Sequence, residues 1–351
     1  MSDAVRAALN AVVEGETLSM DEARLAMGSV MDGEATQAQL AALLVALRMR
    51  GETVDELTGF AAAMRERVLR VDAPDGIVDT CGTGGDRSGT FNISTAAALV
   101  VAAAGVPVAK HGNRAMTSRS GSADVLEALG VRTDHDAGSA GVALRERGFA
   151  FLFAPTFHPA MRHAGPTRRE IGVRTAFNLL GPLTNPARAR RQVVGVGDPA
   201  AAPRLAEVLQ RLGTERSFVV HGDGVDELPL DGTGVLYHAG PDGVVRHDID
   251  ARQLGLARAP TSALAGGDPA TNAQLIEAIL GGESGARRDV VLLNAAAALL
   301  AGGRVEQLEG GLELAALTID SGLARQFLED LRADKRAADE AKAIAIEAAP
   351  A

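Results

Sequence analysis

Apolar residues at helical spacing dominate the first seventy or so positions of the chain. Leucines recur every three or four residues, the spacing that gathers them on one helix face, at Leu40, Leu43, Leu44 and Leu47. Capping boxes, in which Ser or Thr precedes Glu or Gln by three residues, predict helix starts at Ser19, Thr36 and Thr53. The pattern predicts a small helical unit over residues 1–72. Its apolar stripes exceed what a short bundle can bury, so we expect a homodimer contact on it.

From residue 73 onward, the pattern changes to short apolar runs, most of which end at glycine and precede helical segments. Five runs have this character: GIVDT, VPVAKHG, FAFLFAP, RQVVGVG and RSFVVHG. Strands that alternate with helices predict a mainly parallel sheet covered on both faces. We therefore expect an α/β unit over residues 73–351, with ligands bound beyond the carboxyl ends of its strands.

The net charge and the cysteine content exclude some classes of protein. A formal net charge of −10 argues against a nucleic-acid binder, and a single cysteine excludes an intramolecular disulfide. No run approaches the roughly 18 apolar residues of a membrane span, and no targeting pattern is present. We expect a cytoplasmic protein that binds neither nucleic acid nor membrane. One region is positively charged although the chain as a whole is acidic. Between Phe151 and Arg191, seven Arg accompany a single acidic residue, Glu170. This local positive charge favours a recessed anion site.

The stretch DTCGTGGDRSGTFNIST, from Asp79 to Thr95, is rich in glycine and leads into an Ala-rich helix. Free amides and the helix dipole at such a turn suit phosphate. The spacing matches neither the P-loop nor the dinucleotide fingerprint. By itself the stretch fits a phosphate cradle and also a simple βα turn in which Ser94 or Thr95 caps the helix.

A second cluster, KHGNRAMTSRSGSADVLEALG, begins at the end of the next predicted strand. Its basic side chains are Lys110, His111, Arg114 and Arg119. Two separate phosphate-type sites indicate a ligand with two phosphorylated ends. The alternative is a solvated loop in which Ser122 caps a helix that begins near Asp124.

Two further clusters carry charge. The first holds four arginines among prolines and glycines, any of which could grip a carboxylate in a bidentate fork: Arg162, Arg168, Arg169 and Arg174. The second is HGDGVDEL, whose Asp226 and Glu227 could converge on Mg²⁺ from a loop. The alternative for the second is an acidic turn.

In this order, the motifs GTGGD, NIST, KHGNR, SGSADVLEALG, RTAFNLLGPLTNP and GVDE resemble the anthranilate phosphoribosyltransferase family of tryptophan biosynthesis. The resemblance extends from the N-terminal helices to near Asp334. It implies the fold shared with pyrimidine nucleoside phosphorylases, a small helical domain and a larger α/β domain with a mainly parallel central sheet. It also implies that helices from about 165–185 pack onto the helical domain, and that the protein is a homodimer. The implied substrates are anthranilate and 5-phosphoribosyl 1-diphosphate, with Mg²⁺.

Site residues follow from the same resemblance, position by position. The diphosphate donor site falls on Gly82, Gly85, Asp86, Thr90, Asn92, Ile93, Ser94, Thr95, Lys110, His111, Gly112, Asn113, Arg114, Ala115, Met116, Thr117, Ser118 and Ser122. The anthranilate contacts fall on Gly82, Asn113 and Arg168, and the Mg²⁺ ligands on Ser94, Asp226 and Glu227. Met116, Thr117 and Arg119 stand where Val, Ser and Lys are usual, and these departures leave the charge intact.

The implied reaction releases pyrophosphate, so the enzyme must hold that anion on Mg²⁺, Lys110 and loop amides while positive charge develops at the ribose C1. An aromatic amine is neutral near pH 7 and needs placement more than deprotonation, so Arg168 would hold the carboxylate and Asn113 would align the amine. We expect no essential general base, with His111 as a weak candidate. The alternatives are a nucleoside phosphorylase of the same fold and a non-enzymatic nucleic-acid-binding relative.

Overall fold

The computed structural model describes residues 2–86, 88–115, 119–222 and 224–347, of which 346 and 347 are described by backbone alone. Within these ranges, no helix combines the length and the apolar character that crossing a membrane requires.

Four helices form the N-terminal unit: α1 (Asp3–Val13), α2 (Met20–Met31), α3 (Gln37–Arg50) and α4 (Val54–Arg67). The three predicted capping boxes are confirmed. The side chains of Ser19, Thr36 and Thr53 each accept from the amide three residues on, and their own amides donate to the Glu or Gln side chain at that position. The leucine stripe of α3 is buried, as its spacing predicts. Helices α2 and α4 pack so closely that a Cβ at Gly59 would lie 2.2 Å from the carbonyl oxygen of Met20.

A single sheet forms the centre of the second unit in the part of the chain that the structure describes. Its seven strands are β1 (Val78–Gly82), β2 (Val108–Gly112), β3 (Phe149–Phe153), β4 (Arg191–Gly195), β5 (Arg216–Gly222), β6 (Gly234–Gly240) and β7 (Gly243–Ile249). The order across the sheet is β3-β2-β1-β4-β5-β6-β7. Strands β1 to β5 run parallel to one another, β6 pairs antiparallel with β5, and β7 pairs antiparallel with β6. The predicted mainly parallel sheet is confirmed, and each of the five predicted runs overlaps a strand.

The connecting helices follow the strands along the chain. They are α5 (Ile93–Ala103), α6 (Ser122–Ala128), α7 (Ala137–Arg147), α8 (Ala154–Phe157), α9 (Gly165–Ile171), α10 (Phe177–Leu180), α11 (Ala202–Arg211), α12 (Pro269–Leu280), α13 (Ala286–Ala301), α14 (Leu308–Asp320) and α15 (Leu323–Glu347). Short 3₁₀ helices occur at Pro159–His163, Gly181–Leu183, Ala251–Leu254 and Thr261–Leu264.

The two faces of the sheet are covered differently. Val193 and Val194 are consecutive on β4 and join separate apolar clusters, because side chains alternate along a strand. The cluster of Val193 includes α5 and α13, which pack against each other. The cluster of Val194 continues into the helical unit and includes Leu44 and Phe60. On this side α9 contacts α3, and both α10 and α11 contact α4.

Candidate active site

Three loops meet at the carboxyl edge of the sheet: those that follow β1, β2 and β5. The amide of Ser94, at the start of α5, donates to Glu227 Oε1 at 3.1 Å. Lys110 Nζ, from β2, lies 3.5 Å from Ser94 Oγ. A Cβ at Gly82 would lie 2.7 Å from Asp226 Oδ2. The structure therefore places residues predicted from three distant motifs next to one another.

The glycine loop after β1 has a backbone that favours glycine. Gly84, Gly85 and Gly89 have φ angles of +58°, +74° and +70°, the left-handed region that side chains disfavour. At Gly85 the space is also restricted, because a Cβ would lie 1.6 Å from Arg174 Nη1. The backbone of this turn therefore favours glycine at these positions, and at Gly85 the neighbouring guanidinium requires it.

Helix α5 begins without a side-chain cap. Its cap residue is Asn92, whose side chain donates instead to the carbonyl oxygen of Ser120 at 3.1 Å and so links the first two loops. The alternative in which Ser94 or Thr95 caps the helix is therefore wrong, since both lie within its first turn. Because Glu227 accepts the Ser94 amide, a distant carboxylate takes the place of a cap.

The acidic pair after β5, Asp226 and Glu227, is half-buried. Desolvation, followed by the nearby carboxylate of Asp86, raises the pKa of Asp226 to about 7. Desolvation and the charge of Asp226 raise the pKa of Glu227 well above its usual range. Excess negative charge beside a serine hydroxyl fits Mg²⁺, which accepts one or two carboxylates and completes its shell with phosphate and water. Among the described residues no group of three or more His, Cys, Asp or Glu is arranged to hold a metal, so this donor set is consistent with an ion that shares its ligands with a substrate.

Lys110 lies behind Ser94 and is 1% exposed. Its ammonium group donates to the carbonyl oxygen of Thr80 on β1. Burial lowers the pKa of Lys110, while the charges of Asp79 and Glu227 oppose that shift. The ammonium group of Lys110 therefore faces β1 and Ser94.

His111 is held by its backbone and by its ring. Its amide donates to Asp79 Oδ1 at 3.0 Å, and its Nδ1 lies 3.2 Å from the carbonyl oxygen of Gly181. A carbonyl can only accept, so Nδ1 carries the proton and Nε2 the lone pair. Burial, followed by the charge of His158, lowers the pKa of His111 to about 3. The ring is therefore neutral near pH 7.

The loop after β2 is described as far as Ala115, and the predicted residues Met116, Thr117 and Ser118 lie outside the described residues. Arg114 forms ion pairs with Asp124 and Glu127 at 3.0 and 2.6 Å. Helix α6 begins at Ser122 with Gly121 as its cap residue, so the alternative in which Ser122 caps a helix near Asp124 is wrong. Ser122 Oγ instead donates to the carbonyl oxygen of Asn113 at 3.3 Å.

Arg168 lies on α9 with its guanidinium carbon 5.0 Å from the centre of the Phe177 ring. Burial lowers the pKa of Arg168, and none of the ion pairs among the described residues involves it. A half-buried guanidinium without a carboxylate is suited to an acidic ligand.

The remaining predicted donor residues lie in or beside the same two loops. They are Asp86, Thr90, Ile93 and Gly112, of which Ile93 is buried in the core, Thr90 pairs with Ala265 in an isolated bridge, and Gly112 ends β2.

Two residues of this region have contacts that the sequence did not predict, although Arg174 was among the four arginines considered for gripping a carboxylate. Asp79 is fully buried and accepts from Asn185 Nδ2 at 2.8 Å as well as from His111. Arg174 donates to the carbonyl oxygens of Thr83 and Gly84. Both residues lie inside motifs described in the sequence analysis. Their hydrogen-bond partners are far away along the chain, so no local sequence pattern identifies their roles.

Comparison with known proteins places this arrangement in a family. Residues 74–325 match the α/β domain of a glycosyl transferase family, and residues 6–68 match the helical bundle domain of a glycosyl transferase family. The anthranilate phosphoribosyltransferase of Pelotomaculum thermopropionicum is 55% identical over 93% of this chain and 95% of its own.

Solved structures agree. The anthranilate phosphoribosyltransferase of Thermus thermophilus superposes with a TM-score of 0.89 at 47% identity, covering 94% of this chain and 99% of that one. The Saccharomyces cerevisiae enzyme, solved in complex with PRPP and Mg, gives a TM-score of 0.87 at 27% identity, covering 96% and 99%. The inference drawn from the motifs is therefore confirmed, and this chain belongs to the anthranilate phosphoribosyltransferase family of tryptophan biosynthesis.

Proposed function

We propose that this enzyme, which transfers the phosphoribosyl group of 5-phosphoribosyl 1-diphosphate to the amine of anthranilate, binds that donor where the loops after β1, β2 and β5 meet. The contact between the Ser94 amide and Glu227 carries the proposal. It joins a helix N-terminus, which favours phosphate, to an acidic pair, which favours a cation. A metal-bound diphosphate requires both.

Ser94, Asp226 and Glu227 would hold Mg²⁺. When bound, the ion would neutralise the diphosphate of the donor. The raised pKa values of the two carboxyl groups support this assignment, because desolvated carboxylates that repel one another need a cation in order to stay ionised. The yeast relative, solved with PRPP and Mg, supports it independently.

The donor would contact the residues of the first two loops assigned above. Lys110 would act from beneath, since its buried ammonium group lies against Ser94 and adds positive charge under the leaving pyrophosphate. Amides of the glycine loop would bind the phosphate oxygens directly, and α5 would contribute through its dipole, because its first amides already donate to Phe91, Glu227 and Asn92.

The acceptor would bind beside Gly82, Asn113 and Arg168. Arg168 would pair with the anthranilate carboxylate, because its guanidinium is desolvated and held against Phe177 without an acidic partner among the described residues. Asn113 would align the amine. The amine is already neutral and nucleophilic near pH 7, so the chain needs to orient it and exclude water.

The assembly is part of the proposal. Exposed apolar side chains on α2 and α3, such as Leu25 at 65% and Met49 at 83%, support a homodimer through the helical unit. We also propose a cytoplasmic location and a division of the chain into residues 1–72 and 73–351.

The assignment of the acceptor site is tested by Arg168→Ala. Loss of a charge-assisted pair costs about 1.5–3 kcal/mol, so we expect the KM for anthranilate to rise about 10- to 150-fold while the KM for the donor changes little. The measurement is the loss of anthranilate fluorescence in the presence of donor and Mg²⁺.

Arg169→Ala is the matched control, since Arg169 is the exposed neighbour on the same helix. Equal loss of anthranilate and donor use in Arg168→Ala would contradict the assigned role. Absence of turnover in the folded wild-type protein at every Mg²⁺ concentration would overturn the donor site as well.

A further inference from the structure

We propose that Arg174 is a positioning residue that sets the shape of the glycine loop and, through it, the position of Asp226. The proposal rests on the assignment of the donor site to these loops. Arg174 lies between α9 and α10, on the segment that carries Arg168, and nothing in the sequence pattern assigns it a role in binding the donor.

The guanidinium of Arg174 holds two consecutive peptides of the glycine loop. Its Nη1 donates to the carbonyl oxygen of Gly84 at 2.7 Å, and its Nη2 donates to that of Thr83 at 3.1 Å. The amide of Thr83 donates to the carbonyl oxygen of Gly195 on β4 at 2.9 Å. The loop is therefore fixed to the sheet at its start and to Arg174 over the next two peptides.

Holding the carbonyls also directs the amides. In a planar trans peptide, the C=O of one residue and the N–H of the next point in opposite directions. Because the carbonyls of Thr83 and Gly84 face Arg174, the amides of Gly84 and Gly85 face away from it. The Gly84 amide lies on the side of Asp226 and helps to lower the pKa of that carboxyl group, whose Oδ2 is also the atom that a Cβ at Gly82 would meet at 2.7 Å. One peptide thus connects Arg174 to a proposed Mg²⁺ ligand.

The glycine at position 85 leaves room for this contact. A Cβ there would lie 1.6 Å from Arg174 Nη1, on a backbone whose φ of +74° already disfavours a side chain. The guanidinium therefore occupies the volume that any other residue would fill. Gly85 and Arg174 form one structural unit.

The charge of Arg174 interacts with several carboxylates. Burial lowers the pKa of Arg174, and the charge of Arg48 adds to that shift, whereas the carboxylates of Asp226, Asp198 and Asp86 oppose it. A lysine would keep that charge, but a planar fork with two N–H donors is needed to hold two carbonyls together. The geometry of the group should therefore matter beyond its charge.

The test compares Arg174→Ala and Arg174→Lys with Arg169→Ala as the matched control and Asp226→Asn as the reference for lost metal binding. In Arg174→Ala we expect the KM for the donor and the Mg²⁺ concentration for half-maximal rate each to rise about tenfold, from loss of two charge-assisted bonds at an exposed site. The KM for anthranilate and the melting temperature should change little. Arg174→Lys should recover only part of the loss.

Unchanged donor KM and Mg²⁺ dependence in Arg174→Ala would overturn the proposal, and so would full recovery by Arg174→Lys. If Arg174→Ala behaves like wild type while Asp226→Asn loses Mg²⁺-dependent activity, only the role of Arg174 fails. If Asp226→Asn also behaves like wild type, the donor site itself is misassigned.

Gly85→Ala has two possible effects, displacement of the Arg174 guanidinium and backbone strain in the loop, and a double substitution distinguishes them. Gly85→Ala should raise the donor KM in the wild type, but its effect should be smaller in the Arg174→Ala background, where the clash is gone. Additive effects of the two substitutions would contradict the proposed unit.

Discussion

His111 illustrates how burial changes the chemistry of a single residue. Its position at a strand end beside Lys110 suggests a titrating group, but the ring is 7% exposed and its Nδ1 is bonded to Gly181. With a pKa of about 3, it remains neutral throughout the physiological range. A neutral imidazole of such low basicity is a poor general base.

We predict that His111→Asn retains a kcat within about tenfold of wild type. The Asn side-chain amide can replace Nδ1 as the donor to Gly181 and lacks a nitrogen in the place of Nε2. Steady-state rates between pH 6 and 8 provide the measurement. A loss of several orders of magnitude with unchanged substrate KM values would show that His111 is an essential base.

Residue types and their local spacing are enough to predict much of this site. The motifs at Ser94, Lys110 and Asp226 predict neighbours because parallel strands end at one edge of a sheet. Lys110 differs from expectation in its exposure, since the sequence does not show that its side chain turns toward β1. Arg174 and Asp79 act through partners far away along the chain, and sequence alone carries no signal for such contacts.

At the scale of elements, the packing of α4 on α2 depends on Gly59. A Cβ there would meet the carbonyl oxygen of Met20 and lie 2.8 Å from the Cβ of Ala23. Alanine is the better helix former by about 1 kcal/mol, but two backbones in contact cannot accept the extra group without moving apart.

We therefore predict that Gly59→Ala lowers the free energy of unfolding by about 2 kcal/mol, as overpacked positions do. Gly310→Ala in α14 is the control, since the nearest atom to its added Cβ lies 3.8 Å away, and it should be neutral or stabilising by up to about 1 kcal/mol. Urea denaturation measures both. Equal effects of the two substitutions would show that the α2–α4 contact is adaptable.

Some elements have clearer sequence signals than others. The strands β1 to β5 are predictable because burial on both faces makes each of them an apolar run. The hairpin of β6 and β7 was not predicted. Every residue of β7 is exposed or half-exposed, so its sequence carries Arg246, His247 and Asp248 instead of an apolar run.

At the scale of the whole molecule, buried histidines connect stability to pH. His135 lies on the loop before α7, outside the three loops of the candidate site. Desolvation, followed by the charge of Arg132, lowers its pKa to about 4. The unfolded chain takes up this proton near pH 6.5, whereas the folded chain does so only near pH 4. Between these values the unfolded state binds more protons, so stability falls as the pH falls.

We predict that the free energy of unfolding decreases from pH 6.5 to pH 4, with His135 contributing on the order of 2 kcal/mol. His135→Gln should make this decrease shallower, whereas His247→Gln, at an exposed position on β7, should not. Denaturation at several pH values gives the slopes. Identical slopes in wild type and His135→Gln would exclude His135 as a contributor.

The apolar cluster that runs from the helical unit into the sheet has a consequence for how this sequence can diverge. Phe60 of α4 and Leu209 of α11 belong to one cluster, and their helices are in direct contact. A change of side-chain volume in the helical unit must be compensated by a change in the α/β unit, so these positions are constrained to evolve together. A chimaera that joins the helical unit of one relative to the sheet of another would therefore combine two parts of this core that did not evolve in contact with each other.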